Sequence, residues 1–117
     1  MTEPSRYLRD ILENLERVEA FTAEGFAAFE QDDRTQYAVI RAYEVIGEAA
    51  KRLPSELLAH QPTVNWQRVK GFRDFLIHNY DKIDLKALWR AVEDIPTLKA
   101  AVQALLDDLA RESSGDA

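Results

Sequence analysis

The sequence predicts an all-α antiparallel bundle of four to five helices, because apolar residues recur at three and four positions and no stretch alternates as a strand does. The chain has 117 residues, of which 46% are hydrophobic and 31% charged, with only four glycines and four prolines. Such a composition is typical of one compact domain and argues against a disordered or fibrous chain. We expect this domain over residues 1–111, followed by a disordered tail over residues 112–117.

The first two predicted helices follow from their apolar faces. The first begins at Thr2 or Glu3 with Pro4 in its first turn. Gly25 interrupts the pattern, and the polar residues 31–33 offer N-caps for the next helix. The face of the first helix consists of Leu8, Ile11, Leu12, Leu15 and Val18.

The second long helix extends to about Leu53, where Pro54 ends it. It carries two apolar stripes, which indicate two neighbours: either the core and a partner subunit, or two helices of the same bundle. One stripe consists of Ala38, Ala42, Val45, Ile46, Ala49 and Leu53, and the other of Tyr37, Ile40, Tyr43, Gly47 and Ala50.

A third helix is expected from near Asn65 to the region 81–84, and a fourth is expected to begin at the N-cap Asp84. Pro96 predicts a kink or a break in the fourth helix near Asp94. The predicted core face of the third helix consists of Trp66, Val69, Phe72, Phe75 and Leu76.

The charge balance argues against a nonspecific nucleic-acid binder, since the net charge is -6. Residues 61–82 nevertheless hold four basic and two acidic side chains, or +2, which leaves -8 for the remainder. This basic segment favours local contact with phosphate, although chance clustering explains it equally well.

Several kinds of chemistry are disfavoured by composition. There is no cysteine, and the two histidines, His60 and His78, are eighteen residues apart, so we expect no metal and no cofactor. No apolar run is long enough to cross a membrane, and the N-terminus does not resemble a secretory leader. The expected location is therefore the cytoplasm.

Most other polar candidates have simple structural interpretations. Glu44 and Glu48 could form a carboxylate pair, but Lys51 and Arg52 follow Glu48 at helical spacing, which favours an exposed salt-bridged face. His60 lies in a predicted loop without a partner nearby in sequence. Packing is the favoured role of the two tryptophans, Trp66 and Trp89.

The segment 71–84 is denser in reactive side chains. Arg73, Asp74, His78, Asn79 and Tyr80 fall within eight residues. Arginine supplies a permanent cation for phosphate, histidine exchanges protons near neutral pH, and tyrosine offers a hydroxyl. These groups are suited to a metal-independent ribonuclease, in which a base takes the ribose 2′-hydroxyl proton and a cation stabilises the charged transition state.

Helical geometry complicates that interpretation, because Arg73 and His78 lie about 140° apart around a regular helix. Either the helix distorts after Leu76, or the arginine side chain reaches round, or two chains form one cleft. Asp74 lies one turn before His78 and could orient the imidazole. The alternative is an exposed polar helix end with no catalytic role, capped by Asn79 and residue 81.

The pattern Arg73, four residues, His78, Asn79, Tyr80 resembles the R-x4-H-x-Y motif of the HEPN superfamily, and of HepT-like toxins in particular. The resemblance covers about residues 5–110. It includes the helix over 41–54, the segment 66–71, Trp89 and the stretch 94–98, in the family's order.

That resemblance implies a homodimer in which the two motif helices face each other across a shared cleft. It also implies that Arg73 and His78 are the catalytic pair of a metal-independent ribonuclease toxin, with Asp74 and Asn79 in support. Tyr80 matches the tyrosine that receives AMP from a cognate minimal nucleotidyltransferase antitoxin, and the added charge would block RNA.

Asp74 departs from the family pattern, in which asparagine is expected after the motif arginine. Its carboxylate could pair with Arg73 and weaken phosphate binding, or it could orient His78. Two other interpretations stay open: a non-catalytic HEPN module that binds a nucleotidyltransferase partner or a nucleotide, and a helical scaffold in which His78 is buried.

Overall fold

The computed structural model describes residues 3–78 and 82–115, and within these ranges it contains seven helices and no strand. None of the helices in the described ranges is long and apolar enough to cross a membrane. The helices are α1 (Glu3–Phe21), α2 (Phe26–Glu30), α3 (Asp33–Lys51), α4 (Ser55–Leu58), α5 (Trp66–His78), α6 (Leu85–Glu93) and α7 (Ile95–Gly115).

Helix α3 lies at the centre of the bundle. It packs against α1 on one side and α5 on the other, while α7 packs against α1. The two apolar stripes of α3 therefore have neighbours within the same chain, as one of the two predicted arrangements requires. The core formed here includes Leu8, Ile11, Leu15, Val18, Val39, Ile46, Val102 and Leu105, all at most 1% exposed.

The ends of the helices follow the capping residues in the sequence. The Asp32 carboxylate accepts hydrogen bonds from the backbone N–H groups of Arg34 and Thr35, so it is the N-cap of α3. Asp84 caps α6 in the same way through the N–H of Lys86. The break expected near Asp94 separates α6 from α7.

The C-terminal part of α7 differs from the sequence-based expectation. The helix continues to Gly115, whereas the sequence predicts disorder over residues 112–117. Residues 116–117 of that predicted tail lie outside the described residues. No proline or glycine interrupts the chain between Pro96 and Gly115, and Arg111 forms an ion pair with Asp108 one turn earlier. Both features allow the helix to propagate into the predicted tail.

Helix α5 is the least embedded of the long helices. Its buried residues are Trp66 and Leu76, while Phe75 is 43% and Ile77 38% exposed. The prediction that Phe75 belongs to the core face is therefore wrong. The physical reason is that α5 packs extensively on α3 alone, so both flanks of α5 border open clefts.

Candidate functional site

Arg73 sits at a close contact between α5 and α3. The neighbour on α3 is Gly47, which is buried. A Cβ atom added to Gly47 would lie 2.4 Å from the Cβ of Arg73 and 3.3 Å from the backbone oxygen of Val69. The missing side chain of Gly47 therefore allows the close packing that sets the position of Arg73 against α3.

Arg73 is held between two carboxylates. Its Nε lies 3.2 Å from Glu48 Oε2 on α3, and its Nη1 donates a 3.2 Å hydrogen bond to Asp74 Oδ1. Lys51 Nζ also donates to both Asp74 oxygens, at 2.8 and 3.0 Å, and Arg52 Nη2 donates to Glu48 at 3.3 Å. We call these five residues the α3–α5 ion-pair network; it holds three cations and two anions.

The network keeps Asp74 ionised. The hydrogen bond from Lys51, followed by the one from Arg73, holds the pKa of Asp74 below its ordinary value. Because the pKa of Asp74 is lowered in the folded chain, its ion pairs with Lys51 and Arg73 stabilise the fold at any pH above the ordinary carboxyl pKa. That stabilisation is lost as the pH falls through the lowered pKa of Asp74. Asp74 is thus an anion beside Arg73 at neutral pH.

His78 ends the described part of α5 and its side chain is exposed. Its Nδ1 lies 2.8 Å from the backbone oxygen of Asp74. A carbonyl oxygen accepts hydrogen bonds and cannot donate them, so Nδ1 carries the proton and Nε2 keeps its lone pair when the ring is neutral. Asp74 therefore orients the imidazole through its backbone oxygen. Of the two roles left open for its carboxylate, the structure shows the pairing with Arg73.

The structure does not bring Arg73 and His78 together within one chain. Helix α5 is continuous from Trp66 to His78, so no distortion after Leu76 reduces the angle of about 140° between Arg73 and His78 around the helix. The Arg73 side chain turns toward Glu48 and Asp74. Neither single-chain route is present in this geometry, and the cleft shared by two chains stays a prediction.

Two of the sequence-predicted site residues, Asn79 and Tyr80, lie outside the described residues. They directly follow His78 in the sequence.

A cleft of about 330 Å³ surrounds Arg73 between α1, α3 and α5. Arg41 and Arg52 line it together with Arg73, and an equal number of carboxylates comes from Asp10, Glu44 and Glu48. The side chain of Arg73 is 30% exposed. Its guanidinium group is therefore partly accessible to an anion in this cleft.

The remaining candidates take structural roles, with one correction. Glu48 pairs with Arg52 as expected, but Lys51 pairs with Asp74 rather than with Glu48. His60 Nδ1 lies 3.9 Å from a carboxylate oxygen of Asp108. The two residues are far apart in the sequence, so this contact could not be predicted from it.

Both tryptophans pack as predicted. Trp66 is buried and its Nε1 donates to the backbone oxygen of Gln61. The Trp89 ring contacts the rings of Phe26 and Phe29 at 5.5 and 5.4 Å between centroids.

The sequence did not predict the role of Gly47, nor that Glu48 and Lys51 position Arg73 and Asp74 of α5. A glycine inside an otherwise regular helix was the available signal, because such a residue often marks a close approach of two backbones. Across residues 3–78 and 82–115, no group of three or more histidines and carboxylates could hold a metal ion.

Fold and site together define an all-α, HEPN-like domain whose central pair of helices positions an arginine–histidine motif. A family model described as "Ribonuclease HepT-like" matches residues 11–105. The chain belongs to this HepT-like ribonuclease family.

Two curated relatives span most of the chain. A protein of Thermococcus cleftensis named "Probable ribonuclease HepT" is 46% identical over 101 residues, covering 85% of this chain and 92% of the relative. "Putative RNase MJ0127" of Methanocaldococcus jannaschii is 38% identical over 108 residues, covering 91% and 89%. No solved structure gives a significant match.

Proposed function

We propose that this chain is a metal-independent endoribonuclease in which His78 moves the proton and Arg73 binds the phosphate. The observation that carries the proposal is the hydrogen bond from His78 Nδ1 to the Asp74 backbone oxygen. It leaves Nε2 exposed and unprotonated in the neutral ring, as a general base requires. Family membership and the names of the relatives support the ribonuclease reaction.

In the proposed reaction, His78 Nε2 accepts the proton of a ribose 2′-hydroxyl. The 2′-oxygen then forms a bond to the adjacent phosphorus, and the bond from phosphorus to the 5′-oxygen of the next nucleotide breaks. The leaving oxygen takes a proton from an imidazolium or from water, so the products are a 2′,3′-cyclic phosphate and a 5′-hydroxyl. Arg73 stabilises the added negative charge on the phosphoryl oxygens.

A homodimer would supply both groups to one cleft. Arg73 and His78 point to different sides of α5, so a second motif helix facing the first could place the arginine of one chain near the histidine of the other.

We further propose a toxin that acts on cytoplasmic RNA and is neutralised by a nucleotidyltransferase antitoxin, which transfers AMP to Tyr80. Tyr80 is two residues beyond His78, so added nucleotides would carry bulk and negative charge to the position where RNA must bind. The support is the motif resemblance together with family membership.

Cleavage of end-labelled RNA in EDTA tests the proposed reaction. Wild-type protein should cut, and His78→Ala should lose about 10² to 10⁴ in rate. His60→Ala is the matched control, since His60 is the other histidine and is also exposed, and it should cut like wild type. Equal cleavage by His78→Ala and wild type would refute the role of His78.

Intact-mass measurement after incubation with the antitoxin and ATP tests the modification. Wild type should gain AMP-sized increments and Tyr80→Phe should gain none. Tyr37→Phe, which alters a tyrosine that is 70% exposed on α3, should be modified like wild type. Increments that persist in Tyr80→Phe would place the acceptor elsewhere.

A non-catalytic module that binds a nucleotidyltransferase partner is the second candidate. The observation that favours it is the pairing of Arg73 with both Glu48 and Asp74, which competes with phosphate. Unmodified wild-type protein that cuts no RNA but binds the antitoxin would support this candidate.

A further inference from the structure

A second cleft lies on the other side of α5. It has a volume of about 490 Å³, which is in the usual range of small-molecule sites. Helix α5 forms one wall, α6 and the start of α7 form the other, and Tyr43 and Ile46 of α3 lie at its base. It shares no lining residue with the cleft around Arg73.

The α5 wall of this cleft is aromatic. The rings of Phe72 and Phe75 are nearly parallel, at 9°, with centroids 6.1 Å apart. The ring of Tyr43 meets Phe72 edge-on at 5.4 Å and 76°. Phe75 is 43% exposed and precedes His78 by three residues, so both lie on neighbouring positions of the helix surface. A planar ligand stacked on these rings would therefore lie beside the proposed base.

Tyr43 lines the cleft and carries a hydroxyl that is itself buried and unsatisfied. The residue is 5% exposed, and its hydroxyl has no hydrogen-bond partner among the residues that the structure describes. Burial, with a contribution from the charge of Asp94, raises the pKa of Tyr43, so the hydroxyl remains protonated and can donate. A buried hydroxyl without a partner is costly, and a ligand oxygen that accepts its hydrogen bond would relieve that cost.

Three charged side chains line the same cleft. They are Asp94 at the junction of α6 and α7, Arg90 of α6 and Arg68 of α5. Within the described ranges none of them forms an ion pair, in contrast to the arginines of the α3–α5 network. The carboxylate can accept hydrogen bonds from ligand N–H groups, and the two guanidinium groups can bind phosphate oxygens.

We propose that this cleft binds a guanine base of the RNA strand, stacked on Phe72 and Phe75, with Asp94 and Tyr43 recognising its edge. The inference rests on the proposed ribonuclease function for its RNA ligand. Guanine presents a carbonyl acceptor followed by two N–H donors along one edge. The Tyr43 hydroxyl donates to the carbonyl oxygen, and the Asp94 carboxylate accepts from the two N–H groups. Arg68 and Arg90 bind the phosphates that flank the base.

The other bases fit this pair of side chains less well. Adenine and cytosine have an unprotonated ring nitrogen at the position where Asp94 needs a donor, which leaves two acceptors opposed. Uracil offers a single N–H between two carbonyl groups. Hypoxanthine keeps the carbonyl and the ring N–H of guanine but lacks the exocyclic amine, so it isolates one of the two hydrogen bonds to Asp94.

Direct binding of mononucleotides tests the inference without cleavage. His78→Ala protein, with the rest of the chain intact, is titrated calorimetrically with GMP, IMP and AMP. We expect GMP to bind at least about tenfold more tightly than AMP, with IMP between them. Asp94→Asn and Tyr43→Phe should each reduce the preference for GMP, whereas Tyr37→Phe should retain it. Equal affinity for GMP and AMP would overturn the proposal, and so would a preference that Asp94→Asn leaves intact.

A cleavage assay separates this inference from the proposed function. Wild-type protein is given otherwise identical oligonucleotides with guanine, hypoxanthine or adenine at each position around the cut. Cleavage with no preference at any position would refute the guanine site and leave the ribonuclease proposal standing. Guanine-selective binding by a protein that never cuts would refute the ribonuclease and support a nucleotide site.

Discussion

Helices α1 and α5 meet the same central helix and yet are held by different forces. Four residues of α1, at successive turns, are 0% exposed: Leu8, Ile11, Leu15 and Val18. On α5 the buried residues are Trp66 and Leu76, and ion pairs from Glu48 and Lys51 supply further contacts with α3. The helix that carries the candidate site is thus attached along one side and leaves two clefts open beside it.

The contrast between buried α1 and exposed α5 indicates that stability and function depend on different helices of this small bundle. Burial of apolar surface is the main stabilising term, and α1 and α3 together contribute ten buried hydrophobic residues, against two from α5. Helix α5 keeps polar and aromatic side chains accessible, which a core helix does not. Substitutions in the α3–α5 contact should therefore affect both properties, and those facing the clefts should affect function first.

The largest of the expected effects on stability comes from Gly47→Ala. The added Cβ would meet the Cβ of Arg73 at 2.4 Å, and neither atom is the end of a flexible chain. The overpacking cost of about 1 to 3 kcal/mol should exceed the roughly 1 kcal/mol that alanine gains in helix propensity. Urea unfolding should show a lower free energy of unfolding, and RNA cleavage should fall because Arg73 is displaced.

Gly71→Ala is the matched control, because Gly71 lies in α5 with no atom within 4 Å of its added Cβ. It should stabilise the protein by about 0.5 to 1 kcal/mol. If Gly47→Ala and Gly71→Ala changed the free energy of unfolding by the same amount, the tight α3–α5 contact at Gly47 would be contradicted.

A smaller effect is expected from Tyr43→Phe. Removal of an unsatisfied buried hydroxyl should leave stability unchanged or raise it by up to about 1 kcal/mol. Because the pKa of Tyr43 is raised in the folded chain, its contribution to stability is full below pH 10.0 and is lost as pH rises above that value. Unfolding measured across this range should show a weaker alkaline loss for Tyr43→Phe than for wild type. An identical alkaline loss in the two proteins would show that the hydroxyl is not buried.

The smallest effect is expected from Asp74→Asn. Loss of the charge removes one of the two carboxylates that pair with Arg73, so phosphate should compete better for the guanidinium. We expect kcat/KM for RNA to rise by no more than about fivefold, the range of one exposed ion pair. Lys51→Gln removes the other cation that pairs with Asp74. The Asp74 carboxylate should then pair more strongly with Arg73, so activity should fall. A fall in activity for Asp74→Asn would assign the carboxylate a supporting role.

The periodic pattern and the capping residues predict most of the fold. Asp32, Asp84 and the break at Asp94 lie where the sequence analysis places them. These features are local, so they depend on residues within one or two turns. The exposure of Phe75 could not be predicted in this way, because it depends on which neighbours α5 has in space.

The candidate site was predicted in part. The motif places Arg73 and His78 on one helix and gives the angle between them. The pairs of Arg73 with Glu48 and of Asp74 with Lys51 join residues more than twenty positions apart. They depend on the register between α3 and α5, which the contact at Gly47 sets and no local pattern encodes.

The central claim is that Arg73 of one chain and His78 of its partner act in the same cleft. Mixing Arg73→Ala and His78→Ala proteins, after unfolding and joint refolding, tests it most directly. Each variant alone should be inactive, and the mixture should recover about a quarter of wild-type cleavage, because half of the dimers are mixed and each holds one intact site. A mixture that stays inactive, beside an equally refolded active wild type, would contradict the shared cleft.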